Sequence, residues 1–368
     1  MLVDHAVGVS GPHRNVVGSL NALSARSDVD LRLLTGKIDK NEPYADRCDI
    51  RLGFAPHEIK QIAQNLQLLL SEVKDRDLIY VPTGLKSFLY AYIVKGKRKL
   101  VAGPNVTGIP FLMKPANPSP LMTTAMSDGW IEMSEIRIKD CISGGTARET
   151  IHYVPHSVDS ELFSPKRRNP DVWAKEGLSA NSIKIVYVGN MHEEFKGVPQ
   201  LINAFEMLRQ AVHIKLELVL IGEDGPMLTD HHRAMPGVSF LGPRFGDSLI
   251  ELLASADLFM AASRWETFWL TPLEAMACGL PVVVSNVGAV PSMIPNNGVQ
   301  GISVQITDAH HEYVEDAAKR LAEAALPLLN DSNMRREIGC AARSHVVQKF
   351  SETELANRLM RVFTSTME

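Results

Sequence analysis

Two glutamates carry the strongest chemical signal in the chain. Glu266 and Glu274 stand eight positions apart in RWETFWLTPLEAMACGLPVVVS (264–285), which reads as strand end, loop, helix, tight turn and strand. Thr271 suits the helix N-cap, Pro272 the first helical position, and Glu274 the capping-box place from which a carboxylate reaches back to the cap N–H. Gly279 ends the helix in a left-handed cap, and Pro281 prevents its continuation. A helix that starts at the carboxyl end of a parallel strand offers free N–H groups and a positive dipole end, a site for a phosphate group. Carboxylates beside it accept hydrogen bonds from sugar hydroxyls. Taken singly, Glu274 is a structural capping residue and Glu266 a solvated loop charge; their spacing around one helix start turns both towards chemistry.

Such a site needs a parallel sheet behind it, and the apolar pattern supplies two. The second half carries continuous apolar strand signals at IKIVYVG (183–189), LELVLIG (216–222), VSFLG (238–242), ADLFMAA (256–262) and LPVVVS (280–285). Helix-length stretches separate them, as in PQLINAFEMLRQAV, where Val198, Leu201, Phe205 and Leu208 share one face. Continuously apolar strands alternating with helices imply a parallel sheet covered on both sides. The first half repeats the theme at LRLLTG (31–36), DLIYVPTG (77–84), KLVAGPN (99–105) and WIEMSE (130–135), with HEIKQIAQNLQLLLSEV among its helical signals.

A polar segment with two prolines, FSPKRRNPDVWAKEGLSANS (163–182), reads as a linker. The expected architecture is α/β, with two Rossmann-like doubly wound domains facing across a cleft: residues 1–165, residues 166–345, and a final helix, 346–368, crossing back to the first domain. Five prolines between Gly103 and Pro120 are expected to preclude regular structure there.

Length and composition agree with this organisation. The chain has 368 residues, enough for two domains at roughly 150 residues each. Lys and Arg number 38 against 42 Asp and Glu, a formal charge of −4, which argues against a protein that wraps nucleic acid. Cys48, Cys141, Cys278 and Cys340 are scattered, without a C-x-x-C pair, and read as four reduced thiols in a cytoplasmic protein. The amino-terminal residues lack the pattern of a signal peptide, and no apolar run approaches the roughly 18 residues of a membrane span. KGKRK (95–99) and KRR (166–168) are small basic clusters that either touch an anionic membrane surface or, as most do, face solvent.

The E-x7-E pattern of Glu266 and Glu274, followed by EAMACGLPVV, resembles the donor-binding signature of the retaining glycosyltransferases of family GT4 (glycosyltransferase group 1), which have the GT-B fold. Further matches follow in order: VGVSGPHRNVV, YVPHSVDSELFSP, VGNMHEEFKGV, LVLIGEDGP and VSFLGPRF. The resemblance is strong over residues 150–300 and faint before them. It implies a nucleotide diphosphate sugar as co-substrate, with no resident cofactor and no metal. Glu274 would bind the ribose, Glu266 would lie against the transferred sugar, and Lys196 would be a cation on the diphosphate leaving group. Gly189, with Thr267, Phe268, Trp269 and Leu270, would surround the donor, and Gly8 and Gly11 would lie in a loop whose backbone amides approach the diphosphate from the opposite side of the cleft. Asn105 and Thr107 would stand on the acceptor side.

Three departures from the family pattern stand out. Asn190 occupies the place of the usual arginine, so either Arg244 or another residue compensates, or turnover is slow; Arg244 equally suits the nucleobase pocket. Trp269 replaces the usual glycine and either stacks on the sugar or turns into the fold, and Trp265 raises the same question. No histidine follows the KLV strand, so no strong general base is placed there; a retaining enzyme that reacts on one face tolerates this, because the leaving phosphate takes the acceptor proton. His156, where the family shows asparagine, belongs to the interdomain turn. The implied acceptor is a glycan, a lipid-linked or a small molecule. Rival readings are a nucleotide-sugar epimerase or hydrolase on the same scaffold, and a non-catalytic nucleotide-sugar-binding module.

Overall fold

A computed structural model describes residues 1–2, 5–6, 11–56, 58–105, 119–226, 228–306 and 312–368. They form two compact units: Met1–Ser157 with Glu352–Glu368, and Val158–Ser351. The divisions therefore fall at 157/158 and 351/352, not at the expected 165/166 and 345/346. The expected linker is part of the second unit, because it buries its apolar residues there. Trp173 is buried, and its indole N–H donates to the Ser255 carbonyl at 3.0 Å. Asn169 donates to Glu251 at 2.8 Å.

The strands of the first unit are β1 (His5–Ala6), β2 (Arg32–Thr35), β3 (Lys37–Ile38), β4 (Asp49–Leu52), β5 (Leu78–Thr83), β6 (Lys99–Asn105), β7 (Gly129–Glu132) and β8 (Ile151–Tyr153). Its helices before the division are α1 (Gly11–Ser24), α2 (Tyr44–Arg47), α3 (Ile62–Glu72), α4 (Leu85–Val94), α5 (Ser119–Met126) and α6 (Glu135–Ser143). Strands β5-β6-β7-β8 form a parallel sheet in that order, and β2 pairs with β4. Both margins of the proline-rich zone are regular, contrary to expectation. Pro104 lies where the β5–β6 register shifts, a place that tolerates a missing donor, and Pro120 occupies the first turn of α5. Residues 106–118 lie outside the described residues.

The second unit contains α7 (Val172–Lys175), β9 (Ile183–Val188), α8 (Val198–Ala211), β10 (Leu216–Ile221), α9 (Asp230–Arg233), β11 (Val238–Gly242), α10 (Gly246–Ser255), β12 (Leu258–Ala261) and α11 (Leu270–Ala277). It continues through β13 (Val282–Ser285), α12 (Val290–Met293), β14 (Ile302–Val304), α13 (Glu312–Asn330) and α14 (Ser332–Lys349); α15 (Glu352–Met367) then returns to the first unit. The six strands run parallel in the order β11-β10-β9-β12-β13-β14. Counting from β9 this is 3-2-1-4-5-6, the doubly wound order whose direction reverses between β9 and β12. Strands β9, β10, β12 and β13 are buried along almost their whole length, as their unbroken apolar sequences require. Val198, Leu201, Phe205 and Leu208 of α8 are all buried; each contributes about 1.5–3 kcal/mol by leaving water.

The four cysteines are free thiols, three of them at least partly buried and Cys340 exposed. Among the described residues no helix is long and apolar enough to cross a membrane.

Candidate active site

The loops that leave β9 and β12 meet at the point where the strand order reverses, and they bring Lys196 to Glu266. After β9 the chain passes Gly189 and Asn190 and tightens into a single 3-10 turn, Glu194–Lys196. Gly197 then takes a left-handed conformation (φ 64°) and caps α8. After β12 come Ser263, Arg264, Trp265 and Glu266. The Arg264 N–H donates to the Phe195 carbonyl at 2.7 Å, pinning the 3-10 turn to the β12 loop. Lys196 Nζ consequently lies 2.7 Å from Glu266 Oε1. Ser263 donates its hydroxyl to the same carboxylate oxygen at 3.0 Å. Ser263 is itself held, since its carbonyl accepts a hydrogen bond from the buried Ser285 hydroxyl.

The pair is largely sheltered: the Glu266 side chain is 11% exposed and that of Lys196 19%. Burial raises the Glu266 carboxyl above the usual range, while Lys196 and the Ser263 hydroxyl pull in the opposite direction without cancelling it. Lys196 Nζ also lies 5.0 Å from the centre of the Phe195 ring, which meets Trp265 edge-on at 5.8 Å. These contacts fix the ammonium from two directions. Gly288 closes the back of the site. A Cβ on it would stand 2.5 Å from the Glu266 carbonyl oxygen and 2.9 Å from that of Thr267, so only glycine lets the two backbones approach.

Helix α11 starts one residue after Trp269, and Trp269, not Thr271, is its N-cap. Trp269 has φ 80°, the only positive φ at a non-glycine among the described residues. A residue in that conformation ends the preceding loop abruptly, so the helix begins at Leu270 and Thr271 falls inside its first turn. The expected capping box is therefore absent, and Thr271 Oγ1 is buried with no hydrogen-bond partner among the described residues. The first-turn N–H groups of Leu270 and Thr271 have no carbonyl within the helix to bond; Pro272 has no N–H at all. The other end follows the sequence. Gly279 is left-handed at φ 75°, its N–H bonds the Met276 carbonyl, and the Leu280 N–H bonds that of Ala275, the paired bonds of a Schellman motif.

The remaining candidates are distributed less favourably. Glu274 is 3% exposed inside α11. Trp269 and Phe268 are buried, so Trp269 turns into the fold and offers no stacking face. Thr267 and Leu270 are partly exposed beside Glu266. Gly189 has Tyr187 against it: a Cβ there would stand 2.6 Å from the phenol oxygen. Asn190 is exposed, and its Oδ1 accepts from the His192 N–H at 2.7 Å. Arg244 is taken up by Glu176, at 3.1 Å, and by the Leu241 and Pro243 carbonyls. Gly11 opens helix α1 instead of lying in a loop, consistent with Pro12 at the second position. Asn105 ends β6, opposite Thr83 of β5. Gly8 and Thr107 lie outside the described residues. Ser263 and Gly288, neither singled out in the sequence, hold Glu266. Ser263 had one available signal, its place three residues before Glu266 at the end of an apolar strand.

Residues 182–331 match the family model described as glycosyl transferases group 1. The chain carries a glycosyl transferases group 1 domain. That domain contains Lys196, Glu266 and Glu274. The chain is 29% identical over 226 residues to an alpha-maltose-1-phosphate synthase of Mycolicibacterium smegmatis, covering 58% of this chain and 57% of that protein, little more than half its length. It is 26% identical over 309 residues to the N-acetyl-alpha-D-glucosaminyl L-malate synthase of Bacillus anthracis, covering 80% and 77%. Among solved structures it resembles HepE of Anabaena in complex with UDP and glucose, with TM-score 0.76, 18% identity and 99% and 98% coverage. The fold is GT-B, and the group 1 domain supplies its second Rossmann-like unit.

Proposed function

We propose that this protein is a metal-independent retaining glycosyltransferase of family GT4, which moves a sugar from a UDP- or GDP-sugar to a glycan, lipid-linked or small-molecule acceptor. The observation that carries the reading is the Lys196–Glu266 pair at the reversal point of the sheet, beside the start of α11. An ammonium has three donors. One is spent on Glu266, and the reading gives the others to the diphosphate oxygens. Negative charge gathers on those oxygens as the glycosidic bond breaks, and a cation fixed beforehand stabilises it without reorganising. Glu266 Oε1 holds Lys196 and Ser263, so the second carboxylate oxygen is assigned to a sugar hydroxyl. The acceptor attacks on the face from which the diphosphate leaves, and the leaving phosphate takes its proton; Asn105 then needs no basic strength. The reading also gives the ribose to Glu274 and the acceptor side to Asn105 and Thr107, and it sets the reaction in the cytoplasm, where a lipid-linked acceptor would be met by peripheral membrane contact through the basic clusters. HepE, crystallised with UDP and glucose, supports a nucleotide-sugar donor by its similar fold.

Calorimetry with a panel of UDP- and GDP-sugars tests the assignment, followed by transfer assays in which the anomeric configuration of the product is read by NMR. Donor binding that weakens in Lys196→Ala, transfer with retention, and a rate unchanged by EDTA are expected. Donor affinity unchanged in Lys196→Ala, or an inverted product, sinks it. One observation favours a second reading, a nucleotide-sugar-binding module without turnover: Asn190 brings no charge, and Arg244 is already paired with Glu176. Donor binding with no transfer across a broad acceptor screen, and no free sugar or epimer from donor alone, would select it.

A further inference from the structure

The first unit holds a second concentration of anion-binding groups. Strand β8 is the edge of its sheet, and α15 crosses beside it, leaving a pocket of about 570 Å³. Arg148, His152 and Tyr153 line it from the β8 side, and Glu354, Arg358 and Arg361 from α15. The three α15 residues recur at helical spacing and so share one face. The lining carries three guanidiniums against one carboxylate, a surplus of positive charge in a chain whose overall charge is −4. Glu354 is shared: Oε1 accepts from Arg358 Nε at 2.9 Å and from Arg361 Nη2 at 3.2 Å. The Arg358 guanidinium lies over the Tyr153 ring at 5.6 Å. Arg148 Nη1 donates to the Ile151 carbonyl at 2.8 Å, which anchors one edge of its fork. Burial, and then the Arg148 charge, hold the His152 imidazole below its ordinary range, in keeping with a positive field in the pocket.

We infer that this pocket binds a phosphate-bearing ligand, held by Arg148, Arg358 and Arg361. Planar guanidinium forks match the oxygen spacing of a phosphate, and three of them suit a dianion better than a carboxylate. Helix α11 and Lys196 belong to the other unit and contribute no residue to this pocket, so the inference is independent of that reading. Its ligand is either a free phosphate compound or a phosphate headgroup of a lipid.

The test uses the full chain. Inorganic phosphate and pyrophosphate are titrated by calorimetry, and sedimentation is measured with phosphatidylcholine vesicles, with and without phosphatidic acid. Arg361 is 65% exposed, so Arg361→Gln is expected to fold, and circular dichroism with thermal melting checks that it and Arg148→Gln do. Each variant should weaken anion binding about ten-fold, in line with the loss of a charged hydrogen bond. Binding of the free ions without recruitment to vesicles identifies a soluble ligand; recruitment by phosphatidic acid that Arg361→Gln abolishes identifies a headgroup. No binding to either, or anion binding that survives both arginine substitutions and disappears in Lys196→Ala, overturns the inference.

Discussion

Lys196 Nζ and Glu266 Oε1 are 2.7 Å apart although seventy residues separate them in the chain. The contact exists because β9 and β12 are neighbours in the sheet and because the Arg264 N–H bonds the Phe195 carbonyl, so each loop positions the other. Glu266 also depends on Lys196 for its charge state, since the ammonium opposes the burial that raises its carboxyl.

Lys196→Ala is therefore expected to act twice. Loss of the cation should lower kcat for sugar transfer about 10²–10³-fold, the range found when one donor to a developing anion is removed. Loss of its pull should raise the Glu266 carboxyl further, moving the acid limb of the pH–rate profile to higher pH. Lys196→Arg keeps the charge and should restore part of the rate and most of the profile. A profile that does not move in Lys196→Ala would separate the two residues.

Gly288→Ala should disturb the same site from behind. The residue has φ 57°, and its Cβ would fall 2.5 Å from the Glu266 carbonyl oxygen. The left-handed conformation alone costs a non-glycine residue about 1–2 kcal/mol, and backbone atoms that close must shift. Chemical denaturation should show a loss of at least that size, and kcat should fall because Glu266 moves with its backbone. An alanine variant with wild-type stability and rate would show that the loop has room the structure denies.

Much of this arrangement is legible in the sequence. Continuously apolar strands such as IKIVYVG and LPVVVS gave the parallel sheet, and the glutamate spacing gave the loop that holds Glu266. The helix start is not legible because capping preferences are local: Thr271 and Pro272 fit a cap better than Trp269 does, whereas the indole that stands at the N-cap is buried by tertiary packing that a local pattern does not show. The division between units is not where polarity places it. Polarity marked 163–182 as a linker, but the few apolar residues within it, Val172 and Trp173, decide where it packs. Arg244 looked like a free cation because a sequence does not reveal Glu176 across the fold.

His156 gives a prediction about acid stability. It is 6% exposed, and burial pushes its imidazole down to about 3 from an ordinary value of 6.5. Between those values the unfolded chain holds a proton that the folded chain does not, so stability falls as pH drops from 6.5 towards 3. The full loss is on the order of 5 kcal/mol. His156→Asn removes the titration while keeping a polar side chain, so urea midpoints measured between pH 7 and 4 should decline less steeply than in the wild type. Parallel declines would mean that other groups govern acid unfolding.

Trp269 sets two opposed effects against each other. Its left-handed backbone favours glycine, and replacing the residue by glycine would relieve about 1–2 kcal/mol of strain. The indole is 7% exposed, however, and truncating a buried tryptophan costs about 3–5 kcal/mol. Packing wins, so Trp269→Gly should destabilise by about 2 kcal/mol. Trp269→Ala loses nearly the same packing and keeps the strain, so it should be less stable than the glycine variant by about 1 kcal/mol, the reverse of the usual order for the two residues. Urea unfolding of both variants decides the matter. If alanine is the more stable, the positive φ at Trp269 imposes no strain, and the start of α11 is set by something other than the conformation of its N-cap.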